Sequence, residues 1–521
     1  MAVVRCPGKP PGWARMGDVK VAVLGDVGQS IYHVGDEAMT HAAIDELRGR
    51  GIDDIVVLTR NVQVSGRAFE SEAVPTLTFP WPPRERSDFL RRVLAVAQDD
   101  RNAHAETDAI LDFIEHLRQC DALLVAGGGN MNSLYGWLLY ERVAAVRIAR
   151  ALGLRVVVSG QTLGPDLHGP DRDAARTLLE SADLTGARES DSLQLMRDLA
   201  PDAAVRPCLD DASFMAVAGR ENAPASRLES TGKAGDLPAG PYIAATISPG
   251  HGEVDREAYL SALASALDDA SELTGHPVVF LPHMATPGEG DVDEHMHQDI
   301  AARMRSRRVV LLPIQDAYRT LDLTRDAALV ITSRYHPVVF ALEAGVPVVA
   351  LVAEAYSDVR IRGALHNWGL ENLALTLPSL LDGTLTEAVN DVWARRDVLS
   401  SYLAAARASR LDRHRQWWDD VASTLGGRTP DSVPASLEVH ALPSFDPAWQ
   451  ARAAASALVF LPTAAASTMW RIENEHLRGE VEALAGERDD ARDELSAWFE
   501  SRSFKLARKV AAVASVTRRR R

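Results

Sequence analysis

Arg334 and His336 stand two positions apart in "TSRYHPVVFALEAGVPVVAL", residues 332–351, a stretch that is otherwise mostly apolar. A guanidinium binds a carboxylate or a phosphate through paired hydrogen bonds, and an imidazole exchanges a proton near neutral pH. The surrounding pattern predicts a buried strand before these residues, then a helix, a glycine stop and a further strand. Both side chains are therefore expected to face a crevice at a strand end rather than the core.

Arg188 repeats this arrangement in "GARESDSLQLM", residues 186–196, between the strand-like run "ADLTGA" and a predicted helix. A guanidinium at a strand end suits a carboxylate or a phosphate of a substrate. The alternative is a structural salt bridge to Glu189 or to another nearby acid.

Three consecutive glycines, Gly127, Gly128 and Gly129, follow a predicted buried strand and precede Asn130 in "VAGGGNMNSLYGW". Such glycines can leave backbone N–H groups free to point at an anion at the start of a helix. A turn that needs positive φ explains them equally well. These four residues are candidates for binding a substrate.

Two adjacent carboxylates, Asp36 and Glu37, lie in the glycine-containing stretch "LGDVGQSIYHVGDEAM", residues 24–39. Either carboxylate could take a proton from a substrate hydroxyl. Capping of a helix that begins near Glu37 explains Asp36 almost as well. The G-x-x-G spacing is not the dinucleotide-binding fingerprint, so a long turn is the alternative for the glycines.

Histidines recur in "HMATPGEGDVDEHMH", where His283, His295 and His297 could in principle bind a metal. Their spacing matches no zinc or non-haem iron site. A polar surface helix is the simpler interpretation, and we predict no metal.

Length, charge and cysteine spacing limit the class of protein. A chain of 521 residues exceeds what one hydrophobic core usually serves, which predicts two domains and an additional segment. The formal net charge of −16 argues against a protein that coats nucleic acid. The three cysteines are widely spaced and form no C-x-x-C pair, so a cytoplasmic location fits best.

Short β-branched runs alternate with longer amphipathic runs over residues 18–217 and again over residues 241–424. This pattern is typical of parallel sheets flanked by helices. Residues 218–240 are rich in Gly, Pro and Ser and predict a linker, and residues 1–17 are expected to be disordered. We therefore expect an α/β fold with two Rossmann-like domains and a central cleft, the second domain ending in closing helices.

The C-terminal part of the chain differs from these domains. Residues 425–468 are predicted to form an exposed connection, in which the apolar run from Ala453 to Trp470 contains Pro462 and makes no convincing membrane span. Residues 469–521 are predicted to form a coiled-coil helix and a basic tail. The predicted seam has residues at alternating spacings of four and three: Trp470, Asn474, Leu477, Val481, Leu484, Arg488, Ala491, Leu495 and Trp498.

The chain ends in "FKLARKVAAVASVTRRRR", which is basic and amphipathic, in contrast to the acidic balance of the rest. We expect this C-terminal region either to form a homo-oligomer or to contact an anionic membrane face. A solvated helix with a frayed tail is the alternative.

Six motifs, in this order, resemble the polysaccharide pyruvyl transferase family: "VGDEAM", "GGGN", "SGQTLGP", "ARESDSLQLM", "FLPH" and "SRYHPVVFALEAGVPVVAL". Together they extend from about Val19 to Ala353. The resemblance implies a GT-B-like pair of domains. It also implies phosphoenolpyruvate as donor, a glycan or lipid-linked saccharide as acceptor, a pyruvate ketal as product and no cofactor. It places the enzyme in the cytoplasm, with the inner face of the membrane as an alternative.

The same resemblance implies that Arg188 and His336 bind the donor, and it brings Gln161 and His283 into the site through their motifs. His336 would act as an acid or as a ligand of the departing phosphate. The sequence differs from the family's usual pattern in two places. Glu189 replaces the aspartate that often follows the arginine at position 188, and the first loop, in residues 24–39, is longer. The expanded loop affects acceptor identity more than donor chemistry.

Two other functions share this architecture. A GT-B nucleotide-sugar glycosyltransferase has the same two-domain form, and fold alone does not name the reaction. A catalytically inactive scaffold for polysaccharide assembly is the third possibility, against which Arg188, Arg334 and His336 together argue.

Overall fold

The structure is a computed structural model that describes residues 19–81, 83–98, 108–215, 237–430, 437, 440–501, 503–509 and 511. The predicted disordered segment 1–17 and most of the predicted linker, residues 218–236, lie outside these residues. The same holds for residues 512–521 of the basic tail. Two parallel sheets, each flanked by helices, form the body of the protein.

The first nine strands belong to the N-terminal half of the chain. They are β1 (Val21–Leu24), β2 (Tyr32–His33), β3 (Ile55–Thr59), β4 (Glu72–Pro75), β5 (Ala122–Val125), β6 (Gly128–Met131), β7 (Arg155–Leu163), β8 (Leu184–Ala187) and β9 (Val205–Pro207). The first sheet has the order β4-β3-β1-β5-β7-β8-β9, and β6 pairs with β7. Its central strands are fully buried because helices cover both faces, which explains their continuous apolar runs. The helices of this half are Val34–Gly49, Val62–Phe69, Pro83–Ala97, Asp108–Arg118, Gly136–Ala151, Gly169–Ser181 and Ser190–Leu199.

The second sheet is built from the C-terminal half in the same way. The strands of this half are β10 (Ile243–Thr246), β11 (Val278–Phe280), β12 (Met284–Ala285), β13 (Val309–Leu311), β14 (Leu329–Thr332), β15 (Val348–Val352) and β16 (Ala374–Thr376). All of them except the short strand β12 belong to the second sheet. The order is β13-β11-β10-β14-β15-β16. Its helices are Arg256–Thr274, Val292–Arg303, Ala317–Arg325, Tyr335–Ala344, Ala355–His366, Leu377–Leu381 and Thr384–Ala394, with a 3₁₀ turn at Glu371–Leu373.

Two elements connect the domains. The short strands β2 and β12 form an antiparallel ribbon in which His33 pairs with Met284. The helix Arg396–Leu425 begins on the second domain, where Leu403 is in the core, and ends on the first, where Trp417 and Trp418 are buried beneath its sheet. The second half of this helix, which the sequence assigned to the second domain, therefore packs on the first domain.

The helix Pro447–Glu500 corrects the prediction for residues 425–468, because it begins inside the range assigned to a linker. Its Asp446 cap accepts a hydrogen bond from the N–H of Ala448, and Trp449 is buried against the second domain. Pro462 lies in the helix interior without ending it. This is the one helix within the described residues that is long and apolar enough to cross a membrane, by length and composition alone, which is weak evidence for a span.

The predicted fold class is confirmed. Two Rossmann-like sheets face each other, and a late helix returns from the second domain to the first, which is the GT-B-like arrangement. The predicted C-terminal helical extension is also present.

Candidate functional site

Arg188 and His336 come from different domains and meet at one carboxylate, Asp210. Arg188 follows β8 directly, and its Nη1 lies 2.6 Å from Asp210 Oδ2. His336 lies in the first turn of the helix after β14, and its Nε2 is 3.8 Å from Asp210 Oδ1. The strand-end positions predicted for Arg188, Arg334 and His336 are thus present in the structure. Asp210 was not anticipated, because it lies in an irregular stretch after β9.

Arg188 is held tightly by its own domain. Its Nε donates to Thr162 Oγ1 and to Glu189 Oε1, both at 2.9 Å, and its guanidinium carbon lies 4.4 Å from the centre of the Tyr335 ring. Burial raises the pKa of Glu189, against the lowering effect of the Arg188 charge and the hydrogen bonds. The salt bridge to Glu189, the structural alternative for Arg188, is therefore present.

Gly129 lies where the first domain touches the helix Ala355–His366 of the second. A Cβ at this position would come within 2.9 Å of both Arg188 Nη2 and the Tyr356 hydroxyl, and within 3.1 Å of Arg360 Cδ. The Tyr356 hydroxyl donates a hydrogen bond to the Gly129 carbonyl. Only glycine allows this close approach, so Gly129 borders the cleft next to two arginines.

The starts of two helices meet at Gly35 and His336. A Cβ on Gly35 would overlap the His336 ring, so the helix Val34–Gly49 of the first domain abuts the helix Tyr335–Ala344 of the second. In neither helix does the N-cap side chain make a capping hydrogen bond. Because helix N-termini carry partial positive charge, their convergence favours an anion in the cleft.

His336 is electrically neutral at physiological pH. Burial lowers its pKa from 6.5 to about 4, outweighing the opposite effect of Asp210. Its Nε2 has no hydrogen-bond partner within the described part of the chain. A neutral imidazole with a free ring nitrogen can donate to or accept from a substrate atom.

Asp36 lies one residue from Gly35 and pairs with His33. The distance from His33 Nδ1 to Asp36 Oδ2 is 3.1 Å. Burial acts to raise the pKa of Asp36, but the hydrogen bond and charge of His33 lower it overall. Burial lowers the pKa of His33, yet its hydrogen bond to Asp36 and that carboxylate's charge raise it overall. The two groups therefore form an ion pair, and His33 is a titratable residue that the sequence reasoning missed.

Glu37 lies deeper than Asp36. Burial raises its pKa from 4.5 to about 7, partly offset by a hydrogen bond from the Gly28 N–H at 3.4 Å. A carboxyl group of this kind can exchange a proton near neutral pH.

Arg334 and His283 lie at the interdomain ribbon and share the partner Asp293. Arg334 Nε lies 3.2 Å from Asp293 Oδ2, which also accepts the backbone N–H groups of His283 and Met284 at 3.1 Å. Burial lowers the pKa of the His283 imidazole well below its usual value. Arg334 is paired rather than free.

The backbone N–H of Gly127, the first glycine of the turn, is hydrogen-bonded within the protein. The N–H of Gly127 donates to Asp211 Oδ2 at 2.7 Å, and Asp211 also accepts from Ser159 Oγ at 2.6 Å. Burial raises the pKa of Asp211 to about 7, against these hydrogen bonds. The free N–H that the sequence suggested at Gly127 is therefore engaged internally.

Asn130 and Gln161 lie on either side of Gly128 and are also buried. Asn130 Nδ2 donates to Asp26 at 3.2 Å, and Gln161 Nε2 donates to the carbonyl of Ala126 at 2.7 Å. A Cβ on Gly128 would come within 3.1 Å of the Gln161 side-chain oxygen. These residues support the turn beneath the cleft, and their predicted substrate contacts stay a prediction.

Arg360 is the cation that sequence reasoning missed. It projects from the helix Ala355–His366, with its guanidinium carbon 3.8 Å from the centre of the Tyr356 ring and 5.8 Å from that of Tyr335. Its Nε makes a long hydrogen bond, 3.4 Å, to the Tyr356 carbonyl, and within the described residues it forms no ion pair. The only sequence signal is a basic residue on a helix after β15, which is too common to identify a site.

Among the residues that the structure describes, no three His, Cys, Asp or Glu side chains are grouped so that they could hold a metal ion. His297 accepts the backbone N–H of Ile247 at 3.0 Å.

The fold is a two-domain architecture of the GT-B-like kind, with a cleft between the domains. The model of the family described as polysaccharide pyruvyl transferase matches residues 33–353, and the chain belongs to this family. The amylovoran biosynthesis protein AmsJ of Erwinia amylovora is 24% identical over 416 residues, covering 75% of this chain and 97% of AmsJ.

Solved structures of similar fold have lower sequence identity. The S. aureus MnaA–UDP co-structure is 12% identical with a TM-score of 0.49, covering 80% of this chain and 100% of that one. Anabaena Alr3699/HepE in complex with UDP-glucose is 13% identical with a TM-score of 0.46, covering 78% and 100%.

Proposed function

We propose that this transferase moves pyruvate from phosphoenolpyruvate to two hydroxyl groups of a sugar in an envelope glycan or exopolysaccharide, forming a pyruvate ketal. Membership of the polysaccharide pyruvyl transferase family supports this reaction class. The observation that carries the proposal for this site is the convergence of Arg188, His336 and Arg360, from two domains, where two helix N-termini meet.

The donor carries a carboxylate and a phosphate, so its site needs cations and N–H donors placed before it binds. Arg360 supplies a charge that no carboxylate of the described residues neutralises. The Nη2 of Arg188 points toward Gly129, the position where the first domain leaves no side chain. His336 adds a neutral ring nitrogen. These groups would hold the two anionic ends of the donor.

The proposed reaction balances without a redox cofactor. A proton adds to the methylene carbon of the donor, and a sugar hydroxyl oxygen bonds to the neighbouring carbon as its own proton leaves. The bond from that carbon to the phosphate oxygen then breaks. A second hydroxyl oxygen bonds to the same carbon and loses its proton, which the phosphate takes. The products are the ketal and inorganic phosphate.

Proton transfer is assigned to the groups at the start of the helix Val34–Gly49. His33, whose pKa is raised by its hydrogen bond to Asp36 and by that carboxylate's charge, is suited to give a proton to the methylene carbon. Glu37, with its pKa raised to about 7, is suited to accept one from a hydroxyl. His336 is neutral at rest, so we assign it to binding the departing phosphate rather than to acid catalysis.

The remaining partners follow from the same reaction. A glycan or lipid-linked saccharide would be the acceptor, and a lipid-linked one would bring the enzyme to the inner face of the membrane. The acidic chain gives no reason to expect nucleic acid as a partner.

Ligand-dependent melting of the full chain tests the donor. A ligand that binds the native state raises the melting temperature. We expect phosphoenolpyruvate to do so, and we expect the shift to be lost in Arg360→Gln. A shift with UDP-glucose or GDP-mannose and none with phosphoenolpyruvate would instead identify a glycosyltransferase.

Pyruvate analysis of the envelope glycan tests the product. Cells that lack the gene should lose ketal-linked pyruvate, and re-expression should restore it. Restoration by the His336→Ala variant to the wild-type level would rule out the proposed site. Unchanged pyruvate after deletion would favour a scaffold.

A further inference from the structure

We propose that the C-terminal helix pairs with the same helix of a second copy of this chain, as a parallel, in-register, two-stranded coiled coil. The first part of the helix Pro447–Glu500 is anchored, because Trp449 is buried and Phe460 and Leu461 pack against the second-domain core. Ile472 is still buried and Arg471 lies 3.6 Å from Glu354. Beyond Ile472 the described side chains of the helix are exposed or partly exposed, and this projecting part, with Trp470 at its start, is the region concerned.

The projecting part has an apolar seam that the protomer leaves uncovered. The seam runs from 470 to 498, four heptads or about 42 Å of helix. Its large residues are between 52% and 69% exposed: Trp470 69%, Leu477 52%, Val481 66%, Leu484 57%, Leu495 56% and Trp498 57%. Most helical stability in proteins comes from packing of an apolar face, and Gly479 and Gly486 weaken this helix. A partner that buries the seam would supply the missing stability.

The seam positions favour two strands. With a and d as its apolar positions, Asn474, Val481, Arg488 and Leu495 occupy a. A β-branched residue or a single asparagine at a favours a dimer, and the asparagine also fixes the register. Arg488 can keep its charged end in water along the edge of a two-stranded seam.

The flanking charges select the parallel orientation. All four g positions are glutamates, Glu473, Glu480, Glu487 and Glu494, and three of the four e positions are arginines, Arg471, Arg478 and Arg492. In a parallel pair, each g residue faces the e residue five positions further along the partner. Glu473 would face Arg478 of the partner subunit, and Glu487 would face Arg492 of the partner subunit. In an antiparallel pair, glutamates would face glutamates and arginines would face arginines, which is repulsive.

The protomer's own contacts do not compete strongly with this pairing. Glu487 lies 3.5 Å from Arg84, but both side chains are 62% exposed, and such surface pairs contribute little. An anionic membrane is a poorer occupant of this face, since residues 471–500 carry ten carboxylates against four arginines.

The mass of the full chain in solution tests the pairing. Light scattering at micromolar concentration should give two chains for the wild type and one for Leu477→Asp/Leu484→Asp, with a dissociation constant at least about 100-fold higher. Glu482→Ala, on the outer face, is the matched control and should stay dimeric. Because the seam lies outside both domains, the melting of the domains should not change. A monomeric wild type, or a double variant that stays dimeric, would overturn the proposal.

Disulfide trapping tests the orientation. In a Cys6→Ser background, with Cys120 and Cys208 buried, Leu477→Cys should oxidise to a covalent dimer. Glu482→Cys should not, since its side chain points away from the partner. If Leu477→Cys alone fails, but a mixture of Leu477→Cys chains with Arg488→Cys or Leu495→Cys chains cross-links, the pair is antiparallel and the proposal is wrong. Flotation of a monomeric wild type with phosphatidylserine vesicles would identify a membrane as the occupant instead.

Charge reversal tests the flanking pairs independently of the seam. Glu473→Arg/Glu487→Arg places arginine against arginine in a parallel pair and should raise the dissociation constant about 10-fold. Adding Arg478→Glu/Arg492→Glu restores opposite charges and should return the constant to the wild-type level. Equal affinity of all three proteins would overturn the assigned register.

Discussion

The two walls of the cleft hold their arginines differently. On the first-domain wall, Arg188 is buried and gives Nε and Nη1 to Glu189, Thr162 and Asp210. On the second-domain wall, Arg360 lies against the Tyr356 ring and forms no ion pair within the described residues. The paired Nε and Nη1 of Arg188 are part of the framework, which leaves its Nη2 for a substrate anion, whereas Arg360 presents its charge to the anion without an ion pair.

This difference suggests a division of roles between the domains. On the first-domain wall, Nε and Nη1 of Arg188 are held by acceptors of its own domain. On the second-domain wall, within the described residues, Arg360 lacks an ion pair and the Nε2 of His336 lacks a hydrogen-bond partner. Substitution of Arg188 should therefore act on stability as well as on donor binding, and substitution of Arg360 mainly on donor binding.

Arg188→Ala should give the largest effect. Removing the guanidinium leaves Asp210 and Glu189 buried without their cation, which typically costs about 3–5 kcal/mol of unfolding free energy. Urea unfolding measures the loss. Arg176→Ala removes an exposed arginine paired with Asp173 and should cost at most about 1 kcal/mol. Equal losses in the two variants would show that the first-domain wall does not depend on Arg188.

Arg360→Gln should weaken donor binding with little loss of stability. A hydrogen bond between charged groups contributes about 1.5–3 kcal/mol, so the dissociation constant for phosphoenolpyruvate should rise about 10- to 100-fold. Isothermal titration of the full chain measures it. Arg471→Gln removes the same charge from an exposed residue beside Glu354 and should change affinity less than about 2-fold. An unchanged constant for Arg360→Gln would remove Arg360 from the site.

The positions of the charged and titratable residues at strand ends could be predicted from the sequence, whereas the carboxylates that pair with them could not. Arg188, Arg334 and His336 each follow an apolar run that only a buried strand explains, so their place at the cleft follows from local pattern. Asp210 and Asp293 pair with them from distant parts of the chain, and no local pattern marks them. Arg360 faces the cleft only because of how its helix packs.

The long helix was missed for a related reason. Pro462 argues locally for a break, since proline removes a backbone hydrogen bond. Packing of Trp449, Phe460 and Leu461 on the second domain outweighs that local preference. The heptad spacing beyond Trp470 was visible because it is periodic over four heptads.

Gly35→Ala should test the contact between the two walls. The new Cβ would overlap the His336 ring, so the domains or the ring must shift, which typically costs about 1–3 kcal/mol. Gly49→Ala, at the other end of the same helix, meets no atom within 4 Å and should leave stability equal or up to about 1 kcal/mol higher. Urea unfolding and phosphate release from phosphoenolpyruvate measure both effects. A Gly35→Ala protein that matches Gly49→Ala would disprove the close contact.

The pH dependence of stability should report the burial of His336. Its pKa is lowered from 6.5 to about 4, so between these values the unfolded chain binds a proton that the folded chain does not. Stability is therefore fully present above pH 6.5 and falls as pH decreases toward 4, by at most about 1.4 kcal/mol per pH unit. Glu37, with its pKa raised to about 7, acts in the opposite sense, because it is protonated in the folded protein where the unfolded chain is ionised.

The contributions of His336 and Glu37 to the pH dependence of stability can be separated by comparing the stability curves of variants with that of the wild type. His336→Gln should lose less stability than the wild type between pH 7 and pH 5 in urea unfolding, since the variant lacks this imidazole but keeps Glu37 and the buried His297, whose pKa is also about 4. His295→Gln removes an exposed histidine from the same domain and should follow the wild-type curve. If His336→Gln and the wild type fall in parallel, His336 is not buried as a neutral group, and its assignment to the second-domain wall as a neutral ligand of phosphate is wrong.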